Sequence, residues 1–184
     1  DENILIKKFG KHGKMMWEYA NGIDNSEVQY IKEKPKSIGN SVTLPIDIND
    51  REQLEEILLA LTEQVSYRLR KQDMVANVVS VQLRTKDFQD FSHQIRLDNA
   101  TSSTKEIFKK AKFLLKEMFK DGIYIRLIGV RVDNLVSKNQ MQMSLFESLE
   151  NENKQKKLDN VIDLLNEKYG VNFITRAGKL NVQK

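Results

Sequence analysis

Val78-Val79-Ser80-Val81-Gln82-Leu83-Arg84-Thr85-Lys86, followed after a short turn by Phe91-Ser92-His93-Gln94-Ile95-Arg96-Leu97, is the stretch that decides the fold. In the first run Val79, Val81 and Leu83 alternate with Ser80, Gln82, Arg84 and Lys86. In the second, Phe91, Ile95 and Leu97 oppose Ser92, Gln94 and Arg96. Successive side chains of a strand point to opposite faces, so each run has one apolar face and one polar, basic face. Two such neighbours, joined through Asp87-Phe88-Gln89-Asp90, predict adjacent strands of a sheet buried on one side only. His93 falls on the apolar side and reads as a core residue.

The pattern changes period on either side. Leu54, Leu58, Leu61, Val65 and Leu69 recur at helical spacing between Asp50, a plausible N-cap, and Lys71. The acids Glu52, Glu55 and Glu56 come early in that helix and Arg68, Arg70 and Lys71 late, which complements the helix dipole. A second helix, from an N-cap near Ser103 or Thr104 to Lys120, packs Phe108, Ala111, Leu115 and Met118. Lys105, Lys109, Lys112, Lys116 and Lys120 line its other side. Ser37 to Leu44 and Tyr124 to Val132 supply two more strands. The order β-α-β-β-α-β predicts an α+β domain: a four-stranded sheet with both helices on one face and the other face open.

Flanking this domain, Ile4 to Asn21 reads as helix around the turn Gly10-Lys11-His12-Gly13, and residues 25–36 as a charged tether. From residue 137 a tail begins, and a last helix from Leu158 to Lys168 is stopped by Tyr169-Gly170. Residues 1–24, 25–36, 37–136 and 137–184 are thus expected to be helical piece, tether, sheet domain and tail.

Composition narrows the function classes. The absence of cysteine excludes disulfides and thiolate chemistry and fits a reducing cytoplasm. No apolar run approaches membrane-spanning length, so no membrane partner is expected. The first residue is Asp1 rather than methionine, and the sequence is expected to be part of a longer chain. Its formal net charge of +4 is too small to argue for nucleic acid without its distribution. No phosphate-binding loop, nucleophile elbow or dinucleotide fingerprint occurs. The two histidines, His12 and His93, lie far apart, and Asp47, Asp50, Asp87 and Asp90 sit where turns and caps favour aspartate. No catalytic residue and no metal site is therefore assigned, and no cofactor.

The open face carries the chemistry instead. Ser37, Ser41, Ser80, Gln82, Arg84, Lys86, Ser92, Gln94, Arg96 and Arg131 are hydroxyls, amides and bases, with no carboxylate in the set. Phosphate oxygens only accept hydrogen bonds, so such a face suits a nucleic-acid backbone. The lack of aromatic residues argues against stacking on single strands. An ordinary solvated face and a protein-interaction surface remain as alternatives, whereas a free-standing enzyme has no convergent residue set behind it. In the tail, Gln142-Met143-Ser144-Leu145-Phe146 joins a polar hook to a Leu-Phe pair suited to a partner's apolar pocket. A shifted reading uses Gln140, Met143 and Phe146.

Four motifs in order, Phe9-Gly10-Lys11-His12-Gly13, Trp17-Glu18-Tyr19-Ala20-Asn21-Gly22-Ile23-Asp24, Lys36-Ser37-Ile38-Gly39-Asn40-Ser41-Val42-Thr43-Leu44 and Ile125-Arg126-Leu127-Ile128-Gly129-Val130-Arg131-Val132, resemble the C-terminal part of bacterial DNA polymerase IV, in the Y-family of error-prone translesion polymerases. The resemblance implies that residues 1–24 end a thumb and that 37–136 form the little finger, which grips primer-template DNA by its backbone during damage bypass. It implies phosphate contacts for Ser37, Ser41, Arg126 and Arg131, and sliding-clamp binding for Gln142, Met143, Leu145 and Phe146, with methionine at 143 where leucine is common. Magnesium is implied for the parent polymerase only. The palm and fingers that hold it are missing partners of this chain, which would not polymerise DNA alone.

Overall fold

The computed structural model describes residues 1–28, 30, 34–138, 149–170 and 173–174, with side chains described outside 149–153. Four long strands, β1 (Ser37–Ile48), β2 (Met74–Thr85), β3 (Asp90–Thr101) and β4 (Ile125–Ser137), form one antiparallel sheet in the order β1-β4-β2-β3. Two helices, α3 (Arg51–Lys71) and α4 (Thr104–Met118), follow β1 and β3. The other described helices, in chain order, are α1 (Glu2–Phe9), α2 (Lys11–Ala20) and α5 (Leu149–Tyr169). The expected α+β topology is the observed one, with strands longer than the alternation alone marks out.

Register explains why one side is dry. Ile38, Val132, Val79 and Ile95 are paired across the four strands in one row. The next core row is Asn40, Val130, Val81 and His93. Leu54, Leu58, Val65 and Leu69 of α3 and Ile107, Ala111 and Leu115 of α4 close over these rows and are fully or almost fully buried. Leu83, Ile125 and Ile128 belong to the same cluster. His93 is an exception to the alternation: it has core-side parity but is exposed, as is Phe91 at 44%. Both stand toward the start of β3, an edge strand, where parity alone does not guarantee cover. The reading of His93 as a core residue is corrected accordingly.

Helix ends are held by short polar contacts. The Glu52 amide donates to Asp50 Oδ1 at 2.8 Å, the N-cap bond that starts α3. Ser103, at the N-cap position of α4, makes no such side-chain bond. Instead the Thr104 amide donates to Asp159 Oδ2 of α5 at 3.3 Å, and that aspartate is only 2% exposed. Arg70 of α3 supports the same junction, donating to both carboxylate oxygens of Asp163 at 2.6 and 2.8 Å, to the Ser102 carbonyl at 2.9 Å and to Thr104 Oγ1 at 3.2 Å. The tail helix begins nine residues earlier than its apolar spacing suggests and docks on the helix layer through acids.

The chain divides into two compact units, Asp1–Lys34 and Pro35–Lys184. In the first, α1 and α2 form a helical hairpin. A Cβ on Gly13 would lie 2.0 Å from the Leu5 carbonyl oxygen, so glycine is what allows the helices to cross this closely.

Candidate nucleic-acid interface

Opposite the helices, the sheet register sets out four polar rows. They are Ser37–Asp133–Val78–Arg96, Gly39–Arg131–Ser80–Gln94, Ser41–Gly129–Gln82–Ser92 and Thr43–Leu127–Arg84–Asp90. Eight of the ten proposed DNA contacts, namely Ser37, Ser41, Gln82, Arg84, Ser92, Gln94, Arg96 and Arg131, thus stand on one face. The middle two rows line a cleft of about 790 Å³. Two glycines, Gly39 and Gly129, are among its lining residues. A Cβ on Gly129 would lie 2.8 Å from Ser41 Cβ, and one on Gly39 would lie 3.0 Å from Arg131 Cγ. The missing Cβ atoms let Ser41 and Arg131 pack closely across the β1–β4 pair.

Two proposed contacts stand elsewhere. Lys86 follows the end of β2; its amide donates to the Tyr124 carbonyl at 3.0 Å and its ammonium sits 5.3 Å above the Tyr124 ring. Arg126 lies where the register breaks in both pairings of β4, between Thr43 and Ile48 of β1 and between Arg84 and Thr85 of β2. There it donates to both oxygens of Asp47 at 3.0 Å, and its guanidinium is 5.1 Å from the Phe88 ring centroid. Phe88 itself is 66% exposed and holds a positive φ of 61°. A bulky side chain in that backbone region is uncommon.

The expectation of a face without carboxylates is not met. Asp133 stands one row from Arg131, whose Nε donates to Asp133 Oδ2 at 3.0 Å; Ser80 Oγ is 3.3 Å from the same oxygen. Arg84 forms a bidentate pair with Asp90 at 2.8 and 2.9 Å. The Arg84 hydrogen bond holds the Asp90 carboxyl below the ordinary aspartate value, and Arg126 does the same for Asp47. The reciprocal bonds raise both guanidinium groups. Both aspartates were legible in principle. Asp133 shares the parity of Arg131 but lies one residue past Val132, where the strand was expected to stop. Asp90 was counted as a turn residue and proves to be the first of β3. Arg96 has no ion-pair partner among the described residues.

Among the described residues no group of three or more histidines and carboxylates is placed to hold a metal ion. Asp47, Asp90 and Asp133 are each engaged by an arginine, which does not suit a magnesium-binding carboxylate set. No described helix is long and apolar enough to cross a membrane. Gln142, Met143, Leu145 and Phe146 lie outside the described residues.

Comparison with known proteins agrees with this architecture. Residues 35–145 match the impB/mucB/samB family C-terminal domain, more than half of the chain. The DNA polymerase IV of Clostridium acetobutylicum is 41% identical over 177 residues, covering 96% of this chain and 44% of that protein. Those of Acetivibrio thermocellus and Bacillus anthracis are 34% and 33% identical, covering 95% and 98% of this chain and 44% of each relative. The chain therefore spans less than half the length of these relatives. Among solved structures, a Y-family DNA polymerase chimera of Dbh and Dpo4 superposes with a TM-score of 0.51 at 22% identity, over 74% of this chain and 39% of the other. The insertion ternary complex of Dbh DNA polymerase gives 0.50 at 22% identity, over the same shares. With sheet order, one-sided helix layer and sequence match in agreement, the chain belongs to the impB/mucB/samB family and carries that family's C-terminal domain.

Proposed function

We propose that this chain is the DNA-gripping and clamp-tethering C-terminal region of an error-prone translesion DNA polymerase. The observation that carries the reading is the shared open face, where Ser41, Gln82, Ser92, Gln94 and Arg131 line one cleft. Hydroxyls, amides and guanidinium groups donate to phosphate oxygens without reading base edges, so the grip is indifferent to sequence. Nucleotide transfer itself belongs to residues outside this chain, and the chain's part is to lengthen residence on primer-template DNA. The DNA polymerase IV relatives support this direction.

Fluorescence anisotropy with labelled duplexes tests the grip. Arg96→Ala should weaken binding about equally for unrelated sequences and lower the salt slope by about one. Loss confined to some sequences would contradict a backbone grip. The acids on the same face favour a second reading, a protein-interaction surface. That reading gains if no duplex binds at low salt.

Tethering is carried by Gln142, Met143, Leu145 and Phe146, whose apolar pair suits a pocket on a bacterial sliding clamp. A tether raises local concentration without new chemistry. Calorimetry of the whole chain with a clamp should show binding that Leu145→Ala with Phe146→Ala removes. Binding by neither protein would remove the motif from the reading.

A further inference from the structure

We infer that Asp90 and Asp133 are grip-limiting residues, each holding back a guanidinium that would otherwise be free to meet a phosphate. The inference rests on the DNA-binding reading and deepens it. Two arginines of the open face, Arg84 and Arg131, have a carboxylate partner within 3.0 Å, as does Arg126 at the register break of β4. None of these pairs is buried. Arg84 and Asp90 are 35% and 49% exposed, Arg131 and Asp133 58% and 25%, and Arg126 and Asp47 36% and 24%. Exposed pairs contribute little to stability, so folding does not explain why the pairing recurs three times.

Their electrostatic effect is larger than their stabilising one. A guanidinium bound to a carboxylate brings almost no net charge to a duplex, and a phosphate can engage it only by displacing or sharing it with the acid. Such an exchange replaces one charge-assisted bond by another of the same kind. Contacts made this way cost little to break, and the duplex can advance by one step without a large barrier. Arg96, unpaired among the described residues, supplies the standing attraction. The face thus favours a loose grip that follows moving DNA over a tight one that fixes it.

Neutral, near-isosteric replacements test this with the whole chain and a random-sequence duplex, read by anisotropy from 50 to 300 mM salt. Asp90→Asn and Asp133→Asn should each tighten binding roughly fivefold at low salt and steepen the log–log salt slope by about 0.9, the value of one added phosphate contact. The double change should do about twice as much on the logarithmic scale. Thermal melting of each variant confirms that the fold is intact. If wild type binds and Arg96→Ala weakens it while the asparagine variants match wild type, the grip stands and the limiting role falls. If the variants bind more weakly, the carboxylates orient the arginines, and the inference is overturned. Absence of duplex binding by wild type and all variants overturns both readings together.

Discussion

The row Ile38, Val132, Val79 and Ile95 and the neighbouring row Gly39, Arg131, Ser80 and Gln94 are one residue apart on the same four strands. They share none of their chemistry. The first is closed by α3 and α4, and any large aliphatic set of similar volume would serve it. The second depends on individual atoms: a missing Cβ at Gly39, a hydroxyl at Ser80, a guanidinium already committed to Asp133. One face is specified by bulk, the other by detail.

The comparison breaks first if bulk fails to decide the inner face. Leu83 is 1% exposed in the core, and Leu83→Ala should cost about 3 kcal/mol in urea unfolding. Gln82→Ala, one residue away and exposed, should stay within about 0.5 kcal/mol. Equal losses would dissolve the distinction. Next comes the cleft. Gly129→Ala puts a methyl 2.8 Å from Ser41 Cβ, so strand packing must shift, at a cost of about 1–3 kcal/mol by the same assay. A neutral result would mean that β1 yields there freely.

How much of this was legible follows from the same contrast. Burial leaves a periodic trace, so Leu54 to Leu69, Val79 to Leu83 and the position of Asp50 were readable from one sequence. Most donors of the open face were readable too, because parity placed them. The acids that temper them were not. Pairing of Arg131 with Asp133 and of Arg84 with Asp90 depends on where strands begin and end, and apolar alternation fades at ends. Asp159 at the start of α4 was beyond reach for another reason: its partner lies 55 residues away, with no periodic pattern to link them.

The smallest expected effect concerns ionisation. The Arg84 bond lowers the Asp90 carboxyl in the folded chain relative to the unfolded one. Any stability from this pair is therefore present above the ordinary aspartate value and lost as pH falls through the lowered one. Carbon-detected NMR should find the Asp90 midpoint below that of a free aspartate, and Arg84→Ala should raise it. An unchanged midpoint would mean that the pair is open in solution.

The strand order also constrains the time at which the sheet can exist. Among the described residues β4 is the last strand, yet it sits between β1 and β2, pairing Ser37 with Asp133 on one side and Val79 with Val132 on the other. Until residues 125–137 have been synthesised, β1 has no neighbour and only the β2–β3 hairpin can form. Such non-local pairing makes folding slow relative to a helical bundle of the same size. On the ribosome, β1 must therefore wait as a single unpaired strand through the synthesis of two helices and two strands, and the arrival of one insertion closes the whole sheet.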